Sequence, residues 1–385
     1  MPLLRLQPLD TLFFRDGRPY NQKETTQIAV PSLFPPSPPT VVGAVRAAAA
    51  RALGWEGRGN WGPEIERHLG DRQGLGPLSF RGPYVLRNGR PLFPAPAHLV
   101  GRRRGEGDEV TFEDLALLRP GPRRNCDLGR EVQLPVPPAP TDGEGGGSLK
   151  SCWVTRGGLS RILAGAVPEP GELVDWNELW CLEPRVGIER DYERHTTGEA
   201  ALYSPLHVRL RRGVTLALHV DGLSREALAA LTETPVPLGG ESRACWVDID
   251  EEGHGDLLPA SPELEVTGDA VRYIAVILSP LPADEPPMPG MRYLDLPGRI
   301  VSACLPRPQL WGGWDGLDRR PRPLKPHVAP GSVLFLEAGV EELPRIRALH
   351  GKSVAPTELR PWGFGIVAVG RWPKDEPTTG KENPQ

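Results

Sequence analysis

Apolar residues alternate with polar ones from position 3 to position 9, with Arg5 and Gln7 in polar places, and predict a short opening strand. A proline-rich lead-in follows at Pro31, Pro35, Pro36, Pro38 and Pro39. Val41, Val42, Val45, Ala48, Ala49 and Ala52 then recur at helical spacing. They predict a helix over about residues 40–53, with Arg46 and Arg51 facing out. Ser37 or Thr40 can cap it, and prolines suit a helix start. The runs 78–86 and 90–93 flank Asn88-Gly89 and predict a tight hairpin. The runs 202–210 and 214–220 flank Arg211-Arg212-Gly213 and predict a second. Short helices are expected at residues 156–166, 224–231 and 341–349. Further strands are expected at 244–249, 271–278, 333–337 and 365–372.

Each half therefore offers strand, helix, hairpin, helix and strand, roughly in the order βαββαβ of the ferredoxin-like or RRM-like unit. The expectation is an α+β protein of two such domains, residues 1–185 and 186–385. Residues 101–150 are rich in arginine, proline and glycine, and read as a long insertion with a flexible stretch inside the first domain.

Composition sharpens this picture. The 385 residues carry 46 prolines and 45 glycines without a collagen-like period, so turns and loops must be extensive. Net charge is −4, which excludes a globally basic nucleic-acid binder and leaves local patches. Arginine dominates the basic residues. It clusters at Arg102–Arg104, at Arg119, Arg123, Arg124 and Arg130, at Arg209, Arg211 and Arg212, and at Arg319, Arg320 and Arg322 with Lys325. Such clusters are either solvated faces or phosphate contacts. Cys126, Cys152, Cys181, Cys245 and Cys304 form no CxxC pair and have no histidine at ligand spacing. Neither a zinc site nor a cofactor is expected, and reduced thiols in a cytoplasm are. Arg5, Gln7 and Asp10 interrupt any signal-peptide core, and no apolar run is long enough to span a bilayer.

Several segments offer binding chemistry. Arg15, Asp16, Gly17 and Arg18 form a turn beside Phe13 and Phe14. The arginines could grip phosphate while a ring stacks on a base, or the rings could belong to the core. The helix start at Thr40 would offer free amides to an anion. Gly239-Gly240 with Arg243, and Gly363-Phe364-Gly365, would let a backbone approach closely. Arg185 opens a donor-rich loop that includes Thr196 and Thr197. His195, His207 and His219 are candidate bases. No metalloprotease, nucleophile-elbow, phosphate-loop or paired-aspartate pattern accompanies them.

The segments Phe14-Arg15-Asp16-Gly17-Arg18-Pro19, residues 35–46 from Pro35 to Arg46, Val186-Gly187-Ile188, the threonine-rich loop ending Leu202-Tyr203, Leu238-Gly239-Gly240-Glu241 with Arg243, and Gly363-Phe364-Gly365 occur in that order over nearly the whole chain. Together they resemble the family of the third Cmr subunit of type III-B CRISPR effector complexes, within the RAMP superfamily. The resemblance implies two ferredoxin-like domains and no catalytic residue. It also implies binding to the 5′ tag of crRNA, and contacts with a large polymerase/cyclase-like subunit and a backbone RAMP subunit. By the same resemblance, RNA contacts fall on Arg15, Asp16, Gly17, Arg18, Ser37, Thr40, Gly43, Arg46, Arg185, Thr196, Thr197, Tyr203, Gly239, Gly240, Arg243, Gly363, Phe364 and Gly365. A metal-independent guide-processing endoribonuclease and a pure protein scaffold are the competing readings. Residues 101–150 contain none of these matching segments, and their role is open.

Overall fold

In the computed structural model, residues 1–15, 29–107, 109–138, 146–150, 152–191, 196–251, 257–315 and 320–373 are described. The opening alternation forms strand β1 (Leu3–Pro8), near the middle of an eight-stranded sheet. Helix α1 (Pro38–Ala52), β2 (Ser79–Arg87), β3 (Val214–Asp221), α2 (Arg225–Ala230) and β4 (Ala244–Asp250) complete its central unit. Strand β1 runs antiparallel to β3, with Leu6 opposite Leu216, and to β4, with Leu6 opposite Val247. Strand β3 runs antiparallel to β2. The order is therefore β2-β3-β1-β4. Leu4, Leu6, Leu216 and Leu218 face Val41, Val42, Val45 and Ala227 of the two helices in one core.

The second sheet repeats this order. It contains β5 (Ala270–Ile277), β6 (Arg299–Cys304), β7 (Val333–Gly339), α3 (Leu343–Ala348) and β8 (Val367–Gly370). Strand β5 lies between β7 and β8, and β6 flanks β7, all antiparallel. No helix joins β5 to β6, contrary to the expected βαββαβ order. Pro280, Pro282, Pro286, Pro287, Pro289 and Pro297 occupy that stretch, and proline removes helix donors and clashes with the preceding turn. Leu281, Tyr293 and Leu296 fill the space against Ile346 of α3 instead. Both faces of this sheet are buried. Tyr273, Ala275 and Ile277 face α3, while Ile274 and Val276 face Leu159, Ile162 and Leu163 of the helix Arg156–Leu163. This explains the unbroken apolar run of β5.

The chain between β2 and β3 is one long excursion from a hairpin tip. The Asn88 amide donates to the Gly213 carbonyl at 2.7 Å, closing its base. At the tip, Asn88 (φ 51°) and Gly89 (φ 75°) turn the chain into the strand Arg90–Pro94, as the sequence predicts. The second predicted hairpin does not form. Both edges of β3 are taken by β1 and β2, so the preceding strand Thr196–Leu210 pairs with Trp180–Pro184 and Gly187–Asp191. Strands from either side of residue 185 thus share the first sheet.

Much of the long insertion expected at residues 101–150 is built of strands. Strand Leu99–Arg104 pairs with Thr111–Leu117, and Arg119–Cys126 pairs with Gly129–Val136. Phe112 and Leu117 are buried in the core that also holds Val333 and Phe335 of β7. Apolar anchors here are sparse and separated by arginine, proline and glycine, so no period marks the strands. Asp108 and residues 139–145 lie outside the described residues. No helix among the described residues is long and apolar enough to cross a membrane.

Candidate nucleic-acid interface

Strand β1 ends, α1 begins, and the loop before β4 lies at the same end of the first sheet. Leu12 bridges to Val208, and the Phe14 amide donates to Ser32 Oγ at 2.8 Å. The Gly240 amide donates to the Phe13 carbonyl at 2.8 Å. Gly239 has φ +86°, and a Cβ there would lie 2.5 Å from that carbonyl. The chain's own packing therefore requires glycine at 239. The Arg243 carbonyl accepts the Leu238 amide at 2.8 Å, which fixes the root of the arginine.

Three arginines from distant segments meet here around two carboxylates. Asp10 accepts from Arg185 at 2.8 Å, Arg209 at 2.9 Å and Arg243 at 3.1 Å. Glu183 accepts from Arg209 Nε at 2.6 Å and from Arg185 at 2.8 and 3.0 Å. All five side chains stay partly exposed, between 22% and 43%. Slight burial would raise the Asp10 pKa, but hydrogen bonds and charge from Arg209 and Arg185 outweigh it and hold the pKa low. For Glu183, the hydrogen bond from Arg209 is the largest effect, and its pKa is also lowered.

His207 lies directly beneath this cluster. Its ring stacks on Phe13 with centroids 5.2 Å apart, and Nδ1 is 2.9 Å from Thr11 Oγ1. Burial first, then the positive charges of Arg243 and Arg185, lower its pKa. Phe13 and Phe14 are both buried, so neither offers an exposed face for base stacking. His219 is also buried with a lowered pKa, chiefly through desolvation, and His195 lies outside the described residues.

The start of α1 differs from expectation. Pro38 and Pro39 occupy its first two positions and have no N–H, while the Thr40 and Val41 amides donate to the Ser37 carbonyl. The expected free amides are therefore absent. Ser37 Oγ pairs with Thr40 Oγ1 at 2.8 Å and caps no amide. Gly43 is exposed, and a Cβ on it would have nothing within 4 Å. No contact within the described chain requires glycine there.

Compared with models of known families, residues 4–372 match CRISPR-associated protein (Cas_Cmr3). The chain belongs to the Cas_Cmr3 family. A comparison with curated proteins finds no match. Among solved structures, it is similar to a chain of the type III-B Cmr-beta complex bound to cognate target RNA, solved by cryo-EM. Identity is 15%, covering 87% of this chain and 86% of that one, with a TM-score of 0.49. A chain of the same complex with target RNA and AMPPnP, state 1, gives 15% identity, coverages of 90% and 88%, and a TM-score of 0.46. A chain of the Csm3–Csm4 subcomplex of the type III-A CRISPR-Cas interference complex gives 10%, 87% and 94%, and 0.39.

Of the contacts that the Cas_Cmr3 resemblance implied, the fold gathers Arg185, Gly239, Gly240 and Arg243, with exposed Arg15 following Phe14. Asp16, Gly17 and Arg18 lie outside the described residues. Thr196, Thr197 and Tyr203 belong to the strand Thr196–Leu210, and their side chains are also outside them. Arg46 does not face out. It is buried beneath Trp61 and Trp362 and donates to the Leu69 and Asp71 carbonyls at 2.9 and 2.8 Å. The C-terminal glycine pair serves packing as well. Phe364 is buried and stacks on His327 at 5.5 Å, and the Gly363 and Gly365 amides donate to Arg360 and Pro280. A Cβ on Gly363 would lie 2.9 Å from the Gly82 carbonyl, so this loop seals the seam between the two sheets. The close backbone approach expected at 363 and 365 is made by the chain itself.

Sequence reasoning missed Asp10 and Glu183, and saw Arg209 only as one of a basic cluster. Alternate spacing of Glu183 and Arg185 marks one strand face, but their meeting with residues 10, 209 and 243 is a product of tertiary structure. In this Cas_Cmr3 chain Arg103 holds the buried Asp175, while Arg102 and Arg104 make surface pairs with Asp114 and Glu113.

Proposed function

We propose that this Cas_Cmr3 chain is a non-catalytic, RNA-binding subunit of a type III-B CRISPR effector complex. It holds the 5′ tag of crRNA at the β1 end of the first sheet, and bridges the large polymerase/cyclase-like subunit to the backbone RAMP subunit. The carrying observation is the convergence of Arg185, Arg209 and Arg243 on one partly exposed spot. Guanidinium forks clustered this way suit phosphate oxygens. The repeated strand order β2-β3-β1-β4 and β6-β7-β5-β8 supports reading both sheets as ferredoxin-like units, the second without its first helix. A buried, hydrogen-bonded His207 favours binding over acid–base chemistry.

The test uses the assembled complex. Arg185→Ala and Arg209→Ala together should weaken tag-RNA retention, and each alone should lower the salt slope by up to about one unit. A photoreactive tag should crosslink to this chain. Unchanged retention with crosslinks only to neighbouring subunits would replace the reading with that of a protein scaffold. Metal-free cleavage of repeat RNA by the isolated chain would replace it with an endoribonuclease.

A further inference from the structure

The arginines at the β1 end already hold an anion. Arg185, Arg209 and Arg243 reach Asp10 from three separate segments, and each donates to its carboxylate within 3.1 Å. Three guanidiniums around one small anion is an arrangement suited to a phosphate, whose several oxygens can accept from all three. The two carboxylates of the cluster are not equivalent. Glu183 stands in the strand Trp180–Pro184 and binds Arg185 and Arg209 along their Nε sides, which sets where they point. Asp10 sits on the bend that follows β1, and its side chain is 41% exposed. Among the described residues, the side-chain hydrogen bonds to its carboxylate come from these three arginines. Three cations against two carboxylates leave the cluster at +1 with Asp10 in place, and at +2 once it withdraws. Arg243 Nε is buried and has no hydrogen-bond partner among the described residues, so a donor remains to be satisfied.

We propose that Asp10 is an internal stand-in for a phosphate group. It keeps Arg185, Arg209 and Arg243 gathered in the unbound protein and yields them when an RNA phosphate enters, while Glu183 remains as the positioning carboxylate. This rests on the reading of the β1 end as an RNA interface. The physical logic is exchange. An empty cluster of three guanidiniums would spread by mutual repulsion and would lose orientation, whereas a partly exposed carboxylate keeps the geometry at small cost to later binding. The arrangement also sets a threshold, because only an anion that binds better than Asp10 displaces it.

The test is an affinity that rises on mutation. In the full-length chain, Asp10→Asn keeps the shape of the side chain and removes its charge. Binding of a short single-stranded RNA should tighten about two- to fivefold, the scale of one partly exposed ion pair. Inorganic phosphate should compete with that RNA more effectively than in the unmodified chain. Asp248→Asn, which removes the same charge on the 76% exposed side chain of β4, should change affinity less. Glu183→Gln should weaken binding. Oligonucleotides with a 5′-hydroxyl and a 5′-phosphate separate the two sources of the phosphate. Equal gains point to an internal phosphodiester, and a larger gain with the 5′-phosphate points to the terminus. Asp10→Ser serves as a second variant should Asp10→Asn melt early. Weaker or unchanged binding in both variants, while Arg185→Ala still weakens binding, would overturn the stand-in role alone. RNA affinity indifferent to Arg185→Ala and Arg209→Ala would instead overturn the interface itself.

Discussion

The turn ends of the two sheets use similar residues in opposite ways. At the second sheet, Gly363 and Gly365 press against Gly82 and Ala355, Phe364 stacks on His327, and the glycine amides donate within the chain. At the first, Gly43 has open space around it, and Asp10, Arg185 and Arg209 remain a third or more exposed. Glycines and arginines alone therefore do not mark an interface. Gly239 at the first end is packed too, against the Phe13 carbonyl, so what separates the two ends is the open Gly43 and the partly exposed arginines. A glycine with a neighbour 2.9 Å from its missing Cβ is explained by packing, whereas one in a helix with nothing nearby is unexplained by it.

The largest test concerns the closed region. Residues 112–134 tie the excursion between β2 and β3 to the second sheet through Phe112 and Leu117, both in its core. Removing a single buried side chain of this size costs about 2–5 kcal/mol. Deleting the segment should abolish cooperative thermal unfolding, followed by near-ultraviolet circular dichroism. A deletion chain that melts as sharply as the parent would show that these hairpins are appendages, and the contrast between closed and open ends would lose half its basis.

The next effect is on pH dependence. His98 is fully buried against Phe335, at a ring distance of 5.9 Å, and neither ring nitrogen has a hydrogen-bond partner among the described residues. Burial pushes its pKa down from 6.5 to about 3. The unfolded chain thus binds the proton between those values while the folded chain does not. Stability is complete above pH 6.5 and is lost as pH falls through the window, at up to about 1.4 kcal/mol per unit. His98→Leu should flatten that acid limb in urea titrations at stepped pH. An acid limb of equal slope in the variant would place the loss elsewhere, with His207, His219 and His327 as candidates, since their pKa values are lowered too.

Arginines give a smaller and sharper contrast. Arg103 holds Asp175, which is 1% exposed, through Nε at 2.6 Å and Nη2 at 3.3 Å. Arg103→Ala leaves the buried carboxylate without its cation, held by the Asn177 amide, and should cost about 1–2 kcal/mol, discounted because Arg103 is itself 35% exposed. RNA affinity should hold. Arg185→Ala should do the reverse, lowering RNA affinity at nearly constant melting temperature. If both variants shift stability and affinity in step, the distinction between structural and interface arginines falls.

Much of the first unit was legible because its signals are local. Alternation marked β1, Asn88-Gly89 marked the turn into the strand Arg90–Pro94, and Ser224 marks the start of α2 by accepting the Ala227 amide. The failures share a cause. Arg46 looked outward because its charge suggested water, yet two tryptophan faces and two carbonyls replace that water. The hairpin expected at Arg211-Arg212-Gly213 lost its pairing to the edges already taken on β3. The Asp10 cluster joins residues from positions 10 to 243, and no spacing in the chain announces such a meeting.

The finest test falls on Gly43. A glycine inside a helix is less stable than alanine by about 0.5–1 kcal/mol, because the unfolded chain has more freedom to lose. At Gly43 an added methyl would meet no atom within 4 Å, so nothing in the chain offsets that gain. Gly43→Ala should therefore raise the melting temperature slightly. Should RNA pass over this face of α1, Gly43→Val would narrow the gap and lower tag-RNA affinity while the fold is retained. Gly365→Ala supplies the opposite case. Its φ is +65°, and the new Cβ would lie 2.9 Å from the Ala355 amide, so stability should fall while any RNA effect merely follows the melting temperature. Affinity plotted against melting temperature for the three variants separates the regions. Gly43 variants that lie on the same line as Gly365→Ala would mean that the exposed glycine has no role in binding.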